Sequence, residues 1–198
     1  MASKAIFLDK DGTLIDDIPF NVDPELIRFS EGAEAALSSL KDLDYKLIVI
    51  TNQSGVAHGF FPEQALNLVQ KRLEELFVEA GVTLTGFYYC PHHLGGKVEK
   101  YTVPCYCHKP QPGMILQAAM EHDLDLASSW VMGDILNDVE AGNRAGCRTI
   151  LLNNGHETEW NLSPIRRPDF IVSDLKEAAQ VIADEFLVEQ VFAYEQYQ

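Results

Sequence analysis

The stretch IFLDKDGTL, residues 6–14, joins an apolar run to two carboxylates and a glycine. Residues 4–8 read as a short buried strand, with Asp9 at its carboxyl end and Asp11 two positions on, where it can face the same side. Gly12 then allows a tight reversal. Two carboxylates this close raise each other's proton affinity unless a cation sits between them. Mg²⁺ suits that place, because it takes a few carboxylate oxygens and keeps waters for a phosphate. A bare D-x-D is more often an Asx-rich turn leaving a strand, so the rest of the chain must tip the balance.

Outward from this stretch, strand-like and helix-like segments alternate. Ala33, Leu37 and Leu40 form a helical stripe, and residues 45–51 (YKLIVIT) are a β-branched run ending at a turn-like TNQSG. Pro62 opens a helix whose apolar face is Leu66, Val69, Leu73, Leu76 and Phe77. Residues 84–90 read as a strand, 113–122 as a helix, 129–132 as a strand and 137–145 as a helix. Residues 147–152 and 169–172 read as strands, and Leu175, Ala179, Ile182 and Phe186 mark a C-terminal helix. The last stretch, 191–198 (VFAYEQYQ), reads as packing or fraying, with a dimer contact as the alternative. The alternation predicts one α/β domain over residues 1–198, a parallel sheet with helices on both faces and ligands at the carboxyl ends of its strands.

Three further features stand after predicted strands. Thr51, Asn52, Gln53 and Ser54 supply hydroxyl and amide donors suited to phosphoryl oxygens. Lys109, between His108 and Pro110, offers a point positive charge beside a rigid neighbour. Gly133-Asp134 closes the run WVMGD, with Asp138 one helical turn later. With Asp9-Lys10-Asp11-Gly12-Thr13, Thr51 and Lys109 in this order, the sequence resembles the haloacid dehalogenase superfamily of phosphohydrolases.

The resemblance implies a Rossmann-like fold and a phosphoaspartyl mechanism. Asp9 would be the nucleophile and Asp11 the general acid and base. Mg²⁺ would be held by Asp9, Asp134 and the backbone carbonyl of Asp11. Thr51 and Lys109 would steady the phosphoryl group, and Asp138 would lie behind them, orienting Lys109 or a metal-bound water.

A second constellation lies in CPHHLGGKVEKYTVPCYCHKP, residues 90–110. Cys90, His92, Cys105 and Cys107 supply four soft ligands, the number a tetrahedral Zn²⁺ takes, and leave no open position, so the site is read as structural. His93 is the alternative to His92, and a set of reduced thiols is the plainer reading. Lys109 follows Cys107 by two residues, so a pinned loop over 90–107 would pin a catalytic lysine. Cys147, at the start of a predicted strand, reads as core.

This loop, in the wording YYCPHH and CYCHKPQPGM, closely resembles that of the heptose 1,7-bisphosphate 7-phosphatases and the related histidinol-phosphate phosphatases. That likeness implies no large cap domain, and the spacings from Asp9 to Thr51 and from Thr51 to Lys109 each hold only one strand–helix unit. Substrate choice then falls to loop residues: Asp17 and Phe20, Asn52, Gln53 and Ser54, and His108. His108 stands where the heptose enzymes carry Arg, and Ile135 where they carry Lys; both changes remove charge that could grip a second phosphate.

The functional expectation is a Mg²⁺-dependent sugar-phosphate phosphatase acting on a heptose bisphosphate. The alternatives are histidinol phosphate or another small monoester, a phosphomutase, and a non-catalytic zinc-loop interaction module. Asp and Glu outnumber Lys and Arg 30 to 15, which argues against nucleic acid and requires a local positive site for any anionic substrate. No apolar run is long enough to span a membrane, so a cytoplasmic protein, acting as a monomer, is expected. In such a reducing compartment clustered thiols point to metal rather than disulfides.

Overall fold

The computed structural model describes residues 2–195, with the backbone alone for 192–195. Its strands are β1 (Lys4–Asp9), β2 (Tyr45–Asn52), β3 (Leu84–Cys90), β4 (Trp130–Gly133), β5 (Arg148–Leu152) and β6 (Phe170–Val172). The helices are α1 (Ala33–Leu40), α2 (Gly55–His58), α3 (Leu66–Glu79), α4 (Gly113–His122), α5 (Leu136–Ala145) and α6 (Leu175–Glu195). All six strands lie in one sheet, in the order β3-β2-β1-β4-β5-β6, and every pairing is parallel.

Strand β1 is central because its residues are apolar on both faces. Alternation sends Ile6 and Leu8 to one side, with Leu47, Val49 and the stripes of α1, α3 and α6. Ala5 and Phe7 go to the other, with Ile48, Ile50 and the Met114, Ile115 and Ala118 face of α4. Phe77 and Phe7 are fully buried, and truncating either to Ala would cost about 3–5 kcal/mol. Cys147 lies in this second core, in reduced form.

Boundaries differ from the sequence reading by a residue or two, as at β4 and α5. Two differences are larger. TNQSG does not simply turn: Gly55–His58 winds into the short helix α2, closed by Gly59 in the left-handed region. One turn is too short for apolar periodicity to mark it. Pro62 caps a 3₁₀ turn, Glu63–Ala65, and the helix proper starts at Leu66. The stretch 191–198 continues α6 as backbone to Glu195, and residues 196–198 lie outside the described residues. No helix among the described residues is long and apolar enough to cross a membrane.

The chain runs outward from β1 through β2 to β3, then returns to place β4 on the other side of β1. The strand order therefore reverses between β1 and β4, where open α/β sheets form a crevice at their carboxyl ends. Asp9 ends β1, and Asp134 directly follows β4.

Candidate active site

At this crevice the oxygens of Asp9, Asp134 and Asp138 lie within 4.8 Å of one another, and all three residues are buried. Lys109 reaches them from the loop after β3. Its Nζ is paired with Asp9, donates to Asp138 Oδ1 at 2.6 Å and is 3.4 Å from the carbonyl of Ile50. Three buried carboxylates thus face one buried ammonium. Burial pushes the Asp9 carboxyl up to about 7 against the pull of Lys109, with Asp138 and Asp11 adding repulsion. Burial, and then the charge of Asp9, raises Asp134 to about 6. Asp138 is raised by burial as well. Burial works to lower Lys109, but the charges of Asp138 and Asp9 outweigh it and hold the ammonium above the ordinary lysine range.

Local backbone makes this convergence possible. A Cβ on Gly133 would collide with the side chain of Asp138, so only glycine lets α5 start this close to β4. Asp138 Oδ2 accepts from the Ile135 N–H at 3.3 Å, which turns the carboxylate back over the start of α5. Asn52 brackets the lysine: its Oδ1 accepts from the Lys109 N–H at 3.0 Å, and its Nδ2 donates to the Lys109 carbonyl at 3.2 Å. A residue read from sequence as a substrate contact is thus also a clamp on Lys109.

Asp11 stands outside the buried trio. Its carboxylate is about one-third exposed, pairs with the buried Lys10 and accepts from Gln53 Nε2 at 3.1 Å. Gln53 also donates to Thr51 Oγ1 at 2.9 Å, tying the two strand ends together. Asp11, Asp17, Phe20, Asn52, Gln53 and Ser54 line one cavity of about 190 Å³, which gathers all the loop residues expected to meet substrate except His108. Phe20 holds a left-handed backbone (φ 56°), strain that a bulky residue keeps only when its surroundings fix it. Its ring packs on Phe60 with centroids 4.6 Å apart. His58 joins this group, its ring centroid 6.4 Å from that of Phe20 and 4.8 Å from that of His93.

His108 faces elsewhere. It lines a separate cavity of about 330 Å³ with His92, His93, Leu94, Val103 and Pro104, and its Nδ1 is 3.6 Å from Cys90 Sγ. Burial lowers its imidazole, and neighbouring His93 adds to the effect.

Cys90, His92, Cys105 and Cys107 come together with ligand atoms within 4.8 Å of one another. Cys90 Sγ is 3.6 Å from Cys105 Sγ and 3.1 Å from Cys107 Sγ, and His92 Nδ1 is 3.3 Å from Cys107 Sγ. A tetrahedral Zn²⁺ with bonds of about 2.3 Å needs sulfurs roughly 3.8 Å apart, close to this spacing. The Cys107 thiol is lowered to about 5, first by its hydrogen bond with the Cys90 thiol and then by that with His92. His93 turns away from the sulfurs: its Nδ1 accepts from the Gly95 N–H at 3.1 Å.

Sequence reasoning missed His156, whose Nδ1 is 2.6 Å from Asp134 Oδ2, and Asn154, whose Nδ2 donates to the Gly12 carbonyl at 2.7 Å. Both follow β5, and the rule that strand carboxyl ends carry the chemistry marks that position as it marks the others.

Known proteins resemble this arrangement. A HAD-hydrolase-like family model matches residues 106–178. The D-glycero-beta-D-manno-heptose-1,7-bisphosphate 7-phosphatase of Pasteurella multocida is 42% identical over 153 residues, covering 77% of this chain and 83% of its own. The D-glycero-alpha-D-manno-heptose-1,7-bisphosphate 7-phosphatase of Photorhabdus laumondii is 36% identical over 156 residues, covering 78% of this chain and 85% of its own. Among solved structures, the D,D-heptose 1,7-bisphosphate phosphatase of B. bronchiseptica, complexed with magnesium and phosphate, superposes with a TM-score of 0.74 at 29% identity, over 92% of this chain and 99% of that one.

Proposed function

Because the chain belongs to the haloacid dehalogenase-like phosphatases, we propose that it removes one phosphate from a heptose 1,7-bisphosphate through a covalent intermediate on Asp9. The observation that carries this reading is the buried group of Asp9, Lys109, Asp138 and Asp134 beside a cavity lined by Asp11. The Lys109 ammonium pairs with Asp9 and opposes the protonation that burial favours. An Asp9 oxygen forms a bond to phosphorus as the ester P–O bond breaks, and the leaving sugar oxygen takes a proton from Asp11. Asp11 then accepts a proton from water, whose oxygen attacks phosphorus and releases phosphate from Asp9. Thr51 and the Lys109 ammonium stand by to hold phosphoryl oxygens, and Asp138 and Asn52 keep that ammonium in place.

The donor set fits a hard divalent cation: all-oxygen ligands, with surplus negative charge left by three acids facing one lysine. Asp9, Asp134 and the Asp11 carbonyl would hold Mg²⁺, which when bound neutralises the anions converging on the phosphoryl group. Cys90, His92, Cys105 and Cys107 fit a closed, structural Zn²⁺ site that fixes the loop leading to Lys109.

A second reading, hydrolysis of a small monoester such as histidinol phosphate, is favoured by one observation. Phe20, which lines the Asp11-lined cavity, packs on Phe60, and Phe60, His58 and His93 continue the run of rings behind it, where a second phosphate would need cations. Phosphate release with Mg²⁺ from both heptose 1,7-bisphosphate anomers, histidinol phosphate and simple sugar monophosphates decides between them. Fastest turnover of a heptose bisphosphate is expected; preference for a monoester would replace the first reading with the second.

A further inference from the structure

Residues 154–157, after β5, touch the site at three places within four residues. Asn154 Nδ2 donates to the carbonyl of Gly12, in the turn after the nucleophile, at 2.7 Å. His156 Nδ1 meets Asp134 Oδ2 at 2.6 Å. Glu157 Oε2 accepts from the N–H of Leu136, the first residue of α5, at 2.7 Å, while its Oε1 accepts from the Glu159 N–H at 2.9 Å. The segment therefore joins the turn that follows Asp9 at the end of β1 to the start of α5, just beyond Asp134.

Gly12 makes room for this contact. Its φ is 77°, and a Cβ there would collide with both Asp134 Oδ2 and the His156 ring. The imidazole thus lies in the space a side chain at position 12 would fill. Thr13 Oγ1 donates to the other oxygen of Asp134, at 3.3 Å. Each Asp134 oxygen then has one protein donor and keeps a lone pair for a cation.

We propose that His156 is a positioning residue that aims Asp134 at the divalent cation, with Nδ1–H as the donor and Asn154 and Glu157 holding its segment in place. The inference rests on the cation site proposed above. Carboxylates that ligate metals are commonly fixed by such outer hydrogen bonds, and losing one typically weakens metal affinity about 10–100-fold. His156 is 42% exposed on its side chain, so little packing depends on it.

The test is titration calorimetry of Mg²⁺ into wild type, His156→Ala and His156→Asn, without substrate, alongside metal-free melting curves. Asparagine places an N–H donor near the position of Nδ1; alanine offers none. The expected result is Mg²⁺ affinity about 10–100-fold weaker in His156→Ala, largely recovered in His156→Asn, with metal-free melting temperatures unchanged in both. Equal affinity in wild type and alanine variant overturns the proposal, as does an asparagine variant no better than alanine. Wild type that binds no Mg²⁺ overturns the cation site itself and this inference with it. No phosphatase assay enters, so a wrong substrate assignment leaves the result readable.

Discussion

The acidic centre and the Cys/His cluster are both sets of ligand atoms drawn within 4.8 Å, yet they are built in opposite ways. The cluster is local: four ligands from an 18-residue stretch, three of them on a loop that owes its shape to their meeting. The acidic centre is assembled by the sheet, with Asp9, Lys109, Asp134 and Asp138 delivered from the ends of different elements. One holds an unbalanced set of buried charges; the other holds soft donors with no open position. The contrast teaches that the second region serves the first. Lys109, two residues beyond Cys107, is the point where the local device meets the one the fold assembles.

Breaking the acidic centre should have the largest effect. Asp9→Asn removes the proposed nucleophile while keeping shape, so turnover is expected below about a thousandth of wild type in a phosphate-release assay. Residual activity well above that would rule out the covalent route.

Breaking the cluster should act through the loop. Metal analysis is expected to find one tightly held zinc per chain, lost in acid as protons compete for the sulfurs. Cys107→Ser is expected to lower the melting temperature by roughly 5–15 °C and to reduce activity with it. A zinc-free preparation with full activity and an unchanged melt would separate the two regions altogether.

Acidity sharpens the difference. In the metal-free protein Asp9 is raised to about 7 and Asp134 to about 6, above the ordinary carboxylate value near 4. The native state therefore holds more protons than the unfolded chain between about pH 4 and pH 7. The stability these acids contribute is fully present below that window and is lost as pH rises through it. Mg²⁺ needs the ionised forms, so its stabilisation should run the other way. Melting with and without Mg²⁺ is expected to show a shift near zero at pH 5 that grows to its full size by pH 8. A shift independent of pH would mean the cation is held elsewhere.

The smallest effect is expected at His108, which borders the cluster rather than the Asp11-lined cavity. His108→Arg introduces a fork that would grip a second phosphate, worth about tenfold in kcat/KM for a heptose bisphosphate and little for a monoester. An equal change on both substrates, or none, would show that position 108 does not read that phosphate.

How much of this was legible follows the same divide. The spacing alone only suggested the cluster, because C-x-H is tighter than ordinary zinc-ligand spacing; the neighbouring Lys109 supplied the context. The acidic centre was legible only because each acid and the lysine follow a recognisable strand, so order along the chain stood in for proximity in space. Asn52 was legible as a polar group at a strand end but not as the clamp on Lys109, since that bond links positions 57 apart. His156 escaped because β5 ends in no recognisable motif, and the groove it fills is made by a missing Cβ at Gly12. The short helix α2 escaped for want of length.

The meeting of β1 with β4 has a consequence for how this protein fails. The sheet consists of two three-stranded runs, residues 4–90 and 130–172, each built from strands successive in the chain. They join where Ile6, Phe7 and Leu8 pair with Trp130, Val131 and Met132, contacts that close a loop of more than a hundred residues at an entropic cost. Asp9 and Asp134 sit on opposite lips of that seam. A partial opening there would part Asp9 from Asp134 while leaving nearly every helix intact. In a denaturant series, catalysis should therefore fade before far-ultraviolet dichroism does, making turnover a more sensitive gauge of this fold than its helix content.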